Sequence, residues 1–431
     1  MDRICLFNRL IDILSRNCIP YAIVGRTEGY PKTIGSDIDI IIPRDKIKKF
    51  QESIWEFEDE NTKIVQMLQH EIVAFYYVIF HFCKKERIFI QPDVCTDYYR
   101  KGRLLLTAEY LLQGFQNAPQ GGFNVLSHEK EFLYYLIKKV DKCNLSPEQF
   151  DHIREHYQAN TSKAIKEAKI FWNKENLSII QDSLDSNNYE LLYSNLSKLR
   201  DGIHATHRKR ILDIVKNVIL KLKRIFNPTG FVMAILGPDG SGKTTVINHV
   251  KKDIAPAFRQ IQQFHLFPIP QTGNEITEKN PQGKKIRGVL LSFLKLLYLL
   301  YVYTKGHIMY VLPKKIRSTL TIYDRYYDDI LVDPLRYQNG TPKWMVKMIG
   351  TFIKEPDLWI VLDCPTDVIQ ARKAEVSPEE TERQRFEYLN IAKTKRNCIV
   401  LNTNREINDI SIEASRLISK VLNQRTINRY K

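Results

Sequence analysis

A chain of 431 residues with 43% hydrophobic and 26% charged side chains has apolar mass for two or three packed domains, which excludes wholesale disorder. Lys and Arg number 65 against 49 Asp and Glu, a formal charge of +16 that suits phosphate-rich ligands, nucleic acid or an anionic membrane, or simply a solvated basic surface. The seven cysteines, Cys5, Cys18, Cys83, Cys95, Cys143, Cys364 and Cys398, contain no C-x-x-C pair, which argues against a disulfide framework or zinc site and for reduced thiols in a cytoplasmic chain.

Met1 to Pro20 intersperses Asp2, Arg3, Arg9, Asp12 and Arg16 among Ile4, Phe7, Leu10, Ile11 and Leu14, the spacing of an amphipathic helix and not of a signal peptide. Tyr21 to Gly25 reads as a strand ending in glycine, and Ser36 to Ile42 as a strand with Asp37 and Asp39 on one face and Ile38 and Ile40 on the other. Two adjacent carboxylates repel unless a cation lies between them, so the pair makes sense as a magnesium site. A further strand, Arg87 to Val94, brings Asp93 as a third carboxylate. The glycine turn, the S-D-I-D-I run and the later aspartate resemble the nucleotidyltransferase superfamily with its polymerase-β-like α+β fold, over roughly Met1 to Tyr99. That resemblance implies that Asp37, Asp39 and Asp93 hold metals and that the glycine turn holds a triphosphate. Arg26 stands where the family usually has Ser or Gly, and Pro92 removes a ladder donor, which suggests an edge strand. Active transfer and a degenerate or regulatory domain both stay open.

From His128 the pattern turns helical, and Ser146-Pro147-Glu148 reads as an N-cap with proline opening the next helix. His204 and His207 lie a turn apart without carboxylate or cysteine partners nearby and read as surface histidines. Between Arg208 and Arg224, an apolar face of Ile211, Leu212, Ile214, Val215, Val218, Ile219 and Leu222 opposes seven basic residues. Packing between domains is the expected use of this helix, with an anionic membrane as the alternative.

Phe231 to Leu236 is an apolar run suited to a buried parallel strand. It leads into Gly237-Pro238-Asp239-Gly240-Ser241-Gly242-Lys243-Thr244, which fits G-x-x-x-x-G-K-[ST], and then into a helix over Thr245 to Lys251. In such a loop Gly237, Gly240, Ser241, Gly242 and Thr245 line the phosphate chain of ATP with backbone amides. Lys243 reaches the β- and γ-phosphates, and the Thr244 hydroxyl ligates Mg2+. Strand-like runs recur at Gln263 to Phe267, Leu320 to Tyr323, Leu358 to Leu362 and Ile399 to Leu401, an alternation that predicts a doubly wound parallel α/β sheet. Asp324, Arg325, Asp363 and Asn402 fall at the strand carboxyl ends, where ligands gather. Asp324 is positioned for Mg2+, Arg325 for a phosphate, and the charged run Ser377 to Arg385 for a lid.

Together, GPDGSGKT, the D-R-Y after a strand, P-D-L-W-I-V-L-D-C-P and the charged lid resemble the thymidylate kinase family over about Phe231 to Leu422. The resemblance implies that Arg325 holds an acceptor phosphate, Asp239 approaches the acceptor sugar, Arg383 or Arg385 steadies the transition state, and adenine lies near Asn402 to Asn404 and Arg372. After D-R-Y the family usually has a serine and an A-Y-Q-type segment. Here Tyr327 to Tyr337 carries Asp328, Asp329 and Asp333 instead, available for sugar hydroxyls, for a basic group or for structure. This wording resembles a divergent branch found beside surface-polysaccharide genes, which implies a glycan or nucleotide-sugar acceptor. Val289 to Tyr303 is almost wholly apolar but shorter than the roughly 20 residues that span a bilayer, and predicts a buried helix.

The predicted organisation is a nucleotidyltransferase-like domain at 1–124, a helical connector at 125–228 and a P-loop kinase-like domain at 229–431. The predicted activity is ATP- and Mg2+-dependent phosphoryl transfer to a small-molecule acceptor. A regulatory or nucleic-acid-associated NTP binder and a bifunctional nucleotidyltransferase and kinase are the alternatives. Nucleic acid is not the favoured partner, peripheral membrane contact stays open, and the oligomeric state is not readable.

Overall fold

The computed structural model describes residues 2–82, 87–100, 103–204, 211–269 and 285–431. Cys83, His207 and Arg208 to Arg210 lie outside the described residues. The chain forms two compact units, Met1–Lys221 together with Asn423–Lys431, and Leu222–Leu422.

Among the described residues the strands of the first unit are β1 (Ala22–Ile23), β2 (Asp37–Ile41), β3 (Thr62–Glu71), β4 (Ala74–Phe82), β5 (Arg87–Cys95), β6 (Asp97–Arg100), β7 (Arg103–Thr107), β8 (Gln116–Asn117) and β9 (Asn124–Val125). Seven of them form one mixed sheet in the order β3-β4-β5-β2-β1-β9-β8. Helix Arg3–Arg16 starts at Asp2, whose side chain accepts from the Cys5 amide, and buries Leu6, Phe7, Leu10, Ile11, Ile13 and Leu14. The expected alternation in β2 holds: Asp37 is exposed and Ile38 buried. The edge position expected for the strand of Pro92 does not hold, because β5 lies between β4 and β2. The β4–β5 registers stop at Ile79↔Ile90 and resume at Tyr76↔Asp93, so the residue without an N–H sits in that gap.

The helices expected as a separate connector share a core with the sheet. Phe132, Leu133, Leu136, Ile137, Val140 and Ile153 pack in one cluster with Ala22, Val24 and Ile41. Helix Pro147–Ala159 opens with the expected Ser146 cap, completed by Gln149 as a capping box. Residues 423–431 also belong to the first unit: Asn423 Nδ2 donates to the Ile64 carbonyl (3.0 Å), Thr426 Oγ1 to that of Val65 (3.0 Å) and Tyr430 OH to that of Met67 (2.8 Å), all along β3.

The second unit holds β10 (Phe231–Leu236), β11 (Gln260–Phe264), β12 (Thr319–Asp324), β13 (Leu358–Asp363) and β14 (Cys398–Asn402) in the order β11-β12-β10-β13-β14, every pair parallel. The central strand β10 is buried throughout, as its apolar run requires. Strand β11 starts three residues earlier than expected because it is an edge strand: Gln260, Gln262 and Gln263 are polar and at least partly exposed, and around the single Ile261 no apolar run marks the start. Just before β10, a Cβ on Gly230 would come within 2.6 Å of the backbone of Lys315 and Thr319. Gly230→Ala is therefore expected to destabilise the protein by about 1–3 kcal/mol, read as a lowered urea midpoint, with the loop motif itself untouched.

Helix Val289–Gly306 is not the buried helix expected. Its inner face, including Leu296, Leu299 and Tyr303, joins the core of the second unit, but Leu290 is 72% exposed and Tyr298 63%. It continues through a π-helical turn to Ile316, and by length and composition alone Val289–Ile316 is long and apolar enough to cross a membrane. The inner face is nevertheless committed to protein: the Tyr303 ring meets Tyr326 edge-on at 5.1 Å.

Candidate active site

The glycine-rich loop leaves the carboxyl end of β10 and delivers the chain into helix Lys243–Ile254. Gly240 (φ +85°) and Gly242 (φ +91°) both take left-handed backbone that a side chain would strain, and Gly242 is the residue that caps the helix. Lys243, 7% exposed, curls back over the loop: its Nζ donates to the carbonyls of Gly237 and Pro238, both at 2.8 Å, and lies 3.4 Å from Asp239 Oδ1. Burial, reinforced by the nearby Arg325 charge, lowers the Lys243 ammonium to about 8.

Two buried polar atoms beside this lysine have no hydrogen-bond partner among the described residues, Ser241 Oγ and Asp324 Oδ1. Thr244 stands exposed on the first turn of the helix. A buried carboxylate oxygen and an open hydroxyl are the hard oxygen donors that Mg2+ takes, so the residues present fit the ion. Ser241 Oγ and the amides of the helix start are matched in the same way to phosphate oxygens.

At the end of β12, Arg325 adopts a left-handed backbone (φ +74°) for which it has no glycine-like freedom, held by the hydrogen bond its N–H donates to the Ile235 carbonyl (3.0 Å). Its guanidinium is 5% exposed; Nη1 donates to Asp329 (2.9 Å) and Nη2 to Asp239. Arg336 donates to the other oxygen of Asp239 and pairs with Asp333 at 3.3 Å. One carboxylate thus lies between two guanidinium groups. Burial would raise the Asp239 carboxyl, but Lys243, Arg325 and Arg336 drive it well below the ordinary range. Behind them Asp329, fully buried, also accepts from Tyr337 OH (2.6 Å) and Tyr388 OH. The crevice beside this cluster, lined by Pro238, Asp239, Arg336, Lys373 and Gln384, encloses only about 10 Å3.

Residues 235–424 match the family model described as Thymidylate kinase. The C-terminal half is thymidylate kinase-like. It is 27% identical over 199 residues to "Probable thymidylate kinase 1" of Saccharolobus solfataricus, an alignment covering 44% of this chain and 98% of that protein. It is 23% identical over 209 residues to "Thymidylate kinase" of Thermosipho melanesiensis, with the same coverage of both chains. A crystal structure of thymidylate kinase from Ehrlichia chaffeensis aligns with a TM-score of 0.31 and 19% identity, over 44% of this chain and 98% of that one. The family match supports an ATP-dependent kinase that uses ATP with Mg2+.

In this kinase-like domain the predicted residues fall into two groups. Lys243, Asp239 and Arg325 meet directly. Arg383 and Arg385 ride on helix Pro378–Thr394, where Arg383 is tied to Glu380 and the Val332 carbonyl (2.6 Å), and Arg385 to Asp363 (2.6 Å) at the end of β13. Arg372 reaches the Thr403 carbonyl (3.2 Å), beside Asn402, whose side chain accepts from the Asn404 amide (2.8 Å). Arg336 was not singled out by the sequence. Its signal lies in the P-L-R-Y run, directly after three carboxylates. Those carboxylates are paired within the fold: Asp328 with Lys395 (2.8 Å), Asp329 with Arg325, and Asp333 with Arg336.

In the first unit, Asp39 and Asp93 are register neighbours on β2 and β5, lining a cleft of about 130 Å3 with Tyr134, Lys138 and Lys142. Lys138 lies 3.4 Å from Asp39, while Asp37 stands at the exposed start of β2 and accepts from Tyr76 OH (3.2 Å). Among the described residues, no three His, Cys, Asp or Glu side chains are grouped to hold a metal. The Gly25 turn (φ +88°) is pinned by its amide to Glu131 (2.8 Å). Burial, with Asp39 alongside, pushes Asp93 up to about 6 from its ordinary 3.8. A raised carboxyl favours the protonated folded state, so ionisation costs stability above about 6 and nothing below the ordinary value. Asp93→Asn is expected to raise the melting temperature at pH 7 and leave it unchanged near pH 3.5, measured by thermal unfolding at both values.

Proposed function

We propose that the second unit, Leu222–Leu422, transfers the γ-phosphoryl group of ATP to a nucleoside monophosphate. The observation that carries this is the meeting of Arg325 and Arg336 on one carboxylate beside the loop lysine. Two guanidinium groups set a carboxylate apart between their forks in the way they would hold a phosphate dianion. Lys243, Ser241 and the loop amides would hold the phosphate chain of ATP, and Thr244 and Asp324 would hold Mg2+, which would supply charge neutralisation for the transferring phosphate. Arg383 and Arg385 exchange their present carboxylate partners for the transferring group as the lid moves. A glycan-type acceptor in surface-polysaccharide synthesis would have to draw Asp328, Asp329 and Asp333 away from the partners they hold within the fold.

The test is ATP turnover by the purified protein against a panel of nucleoside monophosphates and sugars, with Lys243→Ala as control. Turnover with a monophosphate that the control lacks is expected. Absence of ATP binding, or a sugar hydroxyl preferred to every monophosphate, would sink the reading. Binding to nucleic acid that falls steeply with log salt would instead favour a regulatory NTP-binding role.

The cleft at Asp39 and Asp93 supports a second reading, in which the first unit transfers a nucleotide. Lys138 and Lys142 face the two carboxylates there and are placed to meet a polyphosphate. Pyrophosphate release lost in the Asp37→Asn, Asp39→Asn double variant, with kinase turnover intact, is the expected signature.

A further inference from the structure

Helix Ile211–Phe226 presents the wrong face to water. Val215, Val218, Ile219, Leu222, Ile225 and Phe226 recur at three- and four-residue intervals, and all six are exposed, Phe226 at 86% and the others between 47% and 55%. The side turned toward protein is the opposite one: Asn217 is half-buried and accepts from the Ile72 amide (3.1 Å), and Leu220 is half-buried beside it. Lys216 and Lys223 flank the apolar stripe on one side and Lys221 on the other, all exposed. A soluble helix buries its apolar stripe and shows its polar face; this one does the reverse.

We propose that this helix lies in the plane of an anionic lipid surface, its apolar stripe among the acyl chains and its lysines at the phosphate headgroups. The alternatives fit less well on charge. No Asp or Glu occurs between 214 and 226, so a second copy packed symmetrically on the stripe would set lysine against lysine at both margins. A nucleic acid satisfies the lysines but offers nothing to six exposed apolar side chains. A bilayer interface satisfies both, and the excess of 65 basic over 49 acidic residues adds long-range attraction to it. At 16 residues with interrupting lysines the helix lies on the membrane and does not span it.

The experiment is co-sedimentation of the full chain with vesicles of phosphatidylglycerol mixed into phosphatidylcholine, against vesicles of phosphatidylcholine alone, at low and high salt. Binding is expected to the anionic vesicles, weaker at high salt. The double variant L222E/F226E, whose changes are both on exposed positions, is expected to lose it. The triple variant K216Q/K221Q/K223Q is expected to bind roughly 100-fold more weakly to anionic vesicles. Circular dichroism confirms that each variant is folded. No binding of the unaltered protein at low salt, or vesicle binding unchanged by L222E/F226E, overturns the proposal. So does a solution dimer that L222E/F226E dissociates, which would assign the stripe to a second copy.

Discussion

Asp329→Ala is expected to lower the unfolding free energy by about 3–5 kcal/mol, the usual cost of leaving one partner of a buried ion pair uncompensated. The carboxylate is fully buried and holds Arg325, Tyr337 and Tyr388 together, so its loss leaves one arm of a buried guanidinium and two hydroxyls without their acceptor at once. Urea unfolding of the variant measures the loss, and a change below about 1 kcal/mol, the range of exposed pairs, would contradict it. The pH dependence follows from the same contacts. Burial would raise this carboxyl, but Arg325 and the two tyrosine hydroxyls outweigh it and hold it below 3.8. A depressed carboxyl stabilises the fold above its unfolded value and loses that contribution as pH falls through the folded one. Acid unfolding below about pH 4 is therefore expected to be steeper in the unaltered protein than in Asp329→Asn, which keeps the shape but does not titrate.

Lys243→Ala is expected to reduce ATP turnover roughly 100- to 1000-fold, the loss typical of removing one preorganised group that meets developing charge. Circular dichroism and urea unfolding of the variant distinguish lost chemistry from lost fold. Since its ammonium is lowered to about 8, Lys243 is a cation below that pH and increasingly neutral above it. The kcat/KM for ATP reports the free enzyme's groups, so it is expected to fall as pH rises through about 8. Lys243→Arg, charged at every pH in the range, is expected to abolish that fall even if its absolute rate is low. A flat profile for the unaltered protein between pH 7 and 9.5 would remove Lys243 from ATP binding.

What the sequence made visible was governed by short-range constraint. The loop from Gly237 to Thr244 and strand β10 are legible because the left-handed glycines, the lysine and the buried apolar run must occur at fixed neighbouring positions. Arg325 is legible for the same reason, being one residue beyond the strand. Arg336 is not, because its meaning lies in Asp239, 97 residues away, and no local pattern records a long-range ion pair. Apolar content also fails to say which side of a helix is covered. Val289 to Tyr303 reads as a buried helix, yet only the face carrying Leu296 and Leu299 is buried, and Arg208 to Arg224 reads as a domain-packing helix although the apolar stripe from Val215 to Phe226 is exposed. Pro92 misleads in the opposite way: the proline rule forbids a ladder bond, not a central strand, and the sheet satisfies it with a local gap in pairing.

The hydrogen bonds from residues 423–431 to β3 bear on how the protein is made. Strand β3 is an outer strand of the first sheet, and the groups that cover its carbonyls are encoded after the whole of the kinase-like unit. During synthesis the first unit emerges early, and the carbonyls of Ile64, Val65 and Met67 lack these donors until some 200 further residues have been added, roughly ten to forty seconds at ordinary elongation rates. An uncovered edge is a template for pairing with another chain. The nascent protein thus passes through an interval in which its first unit is built but unsealed, and the ribosome, not the folding reaction, sets how long that interval lasts.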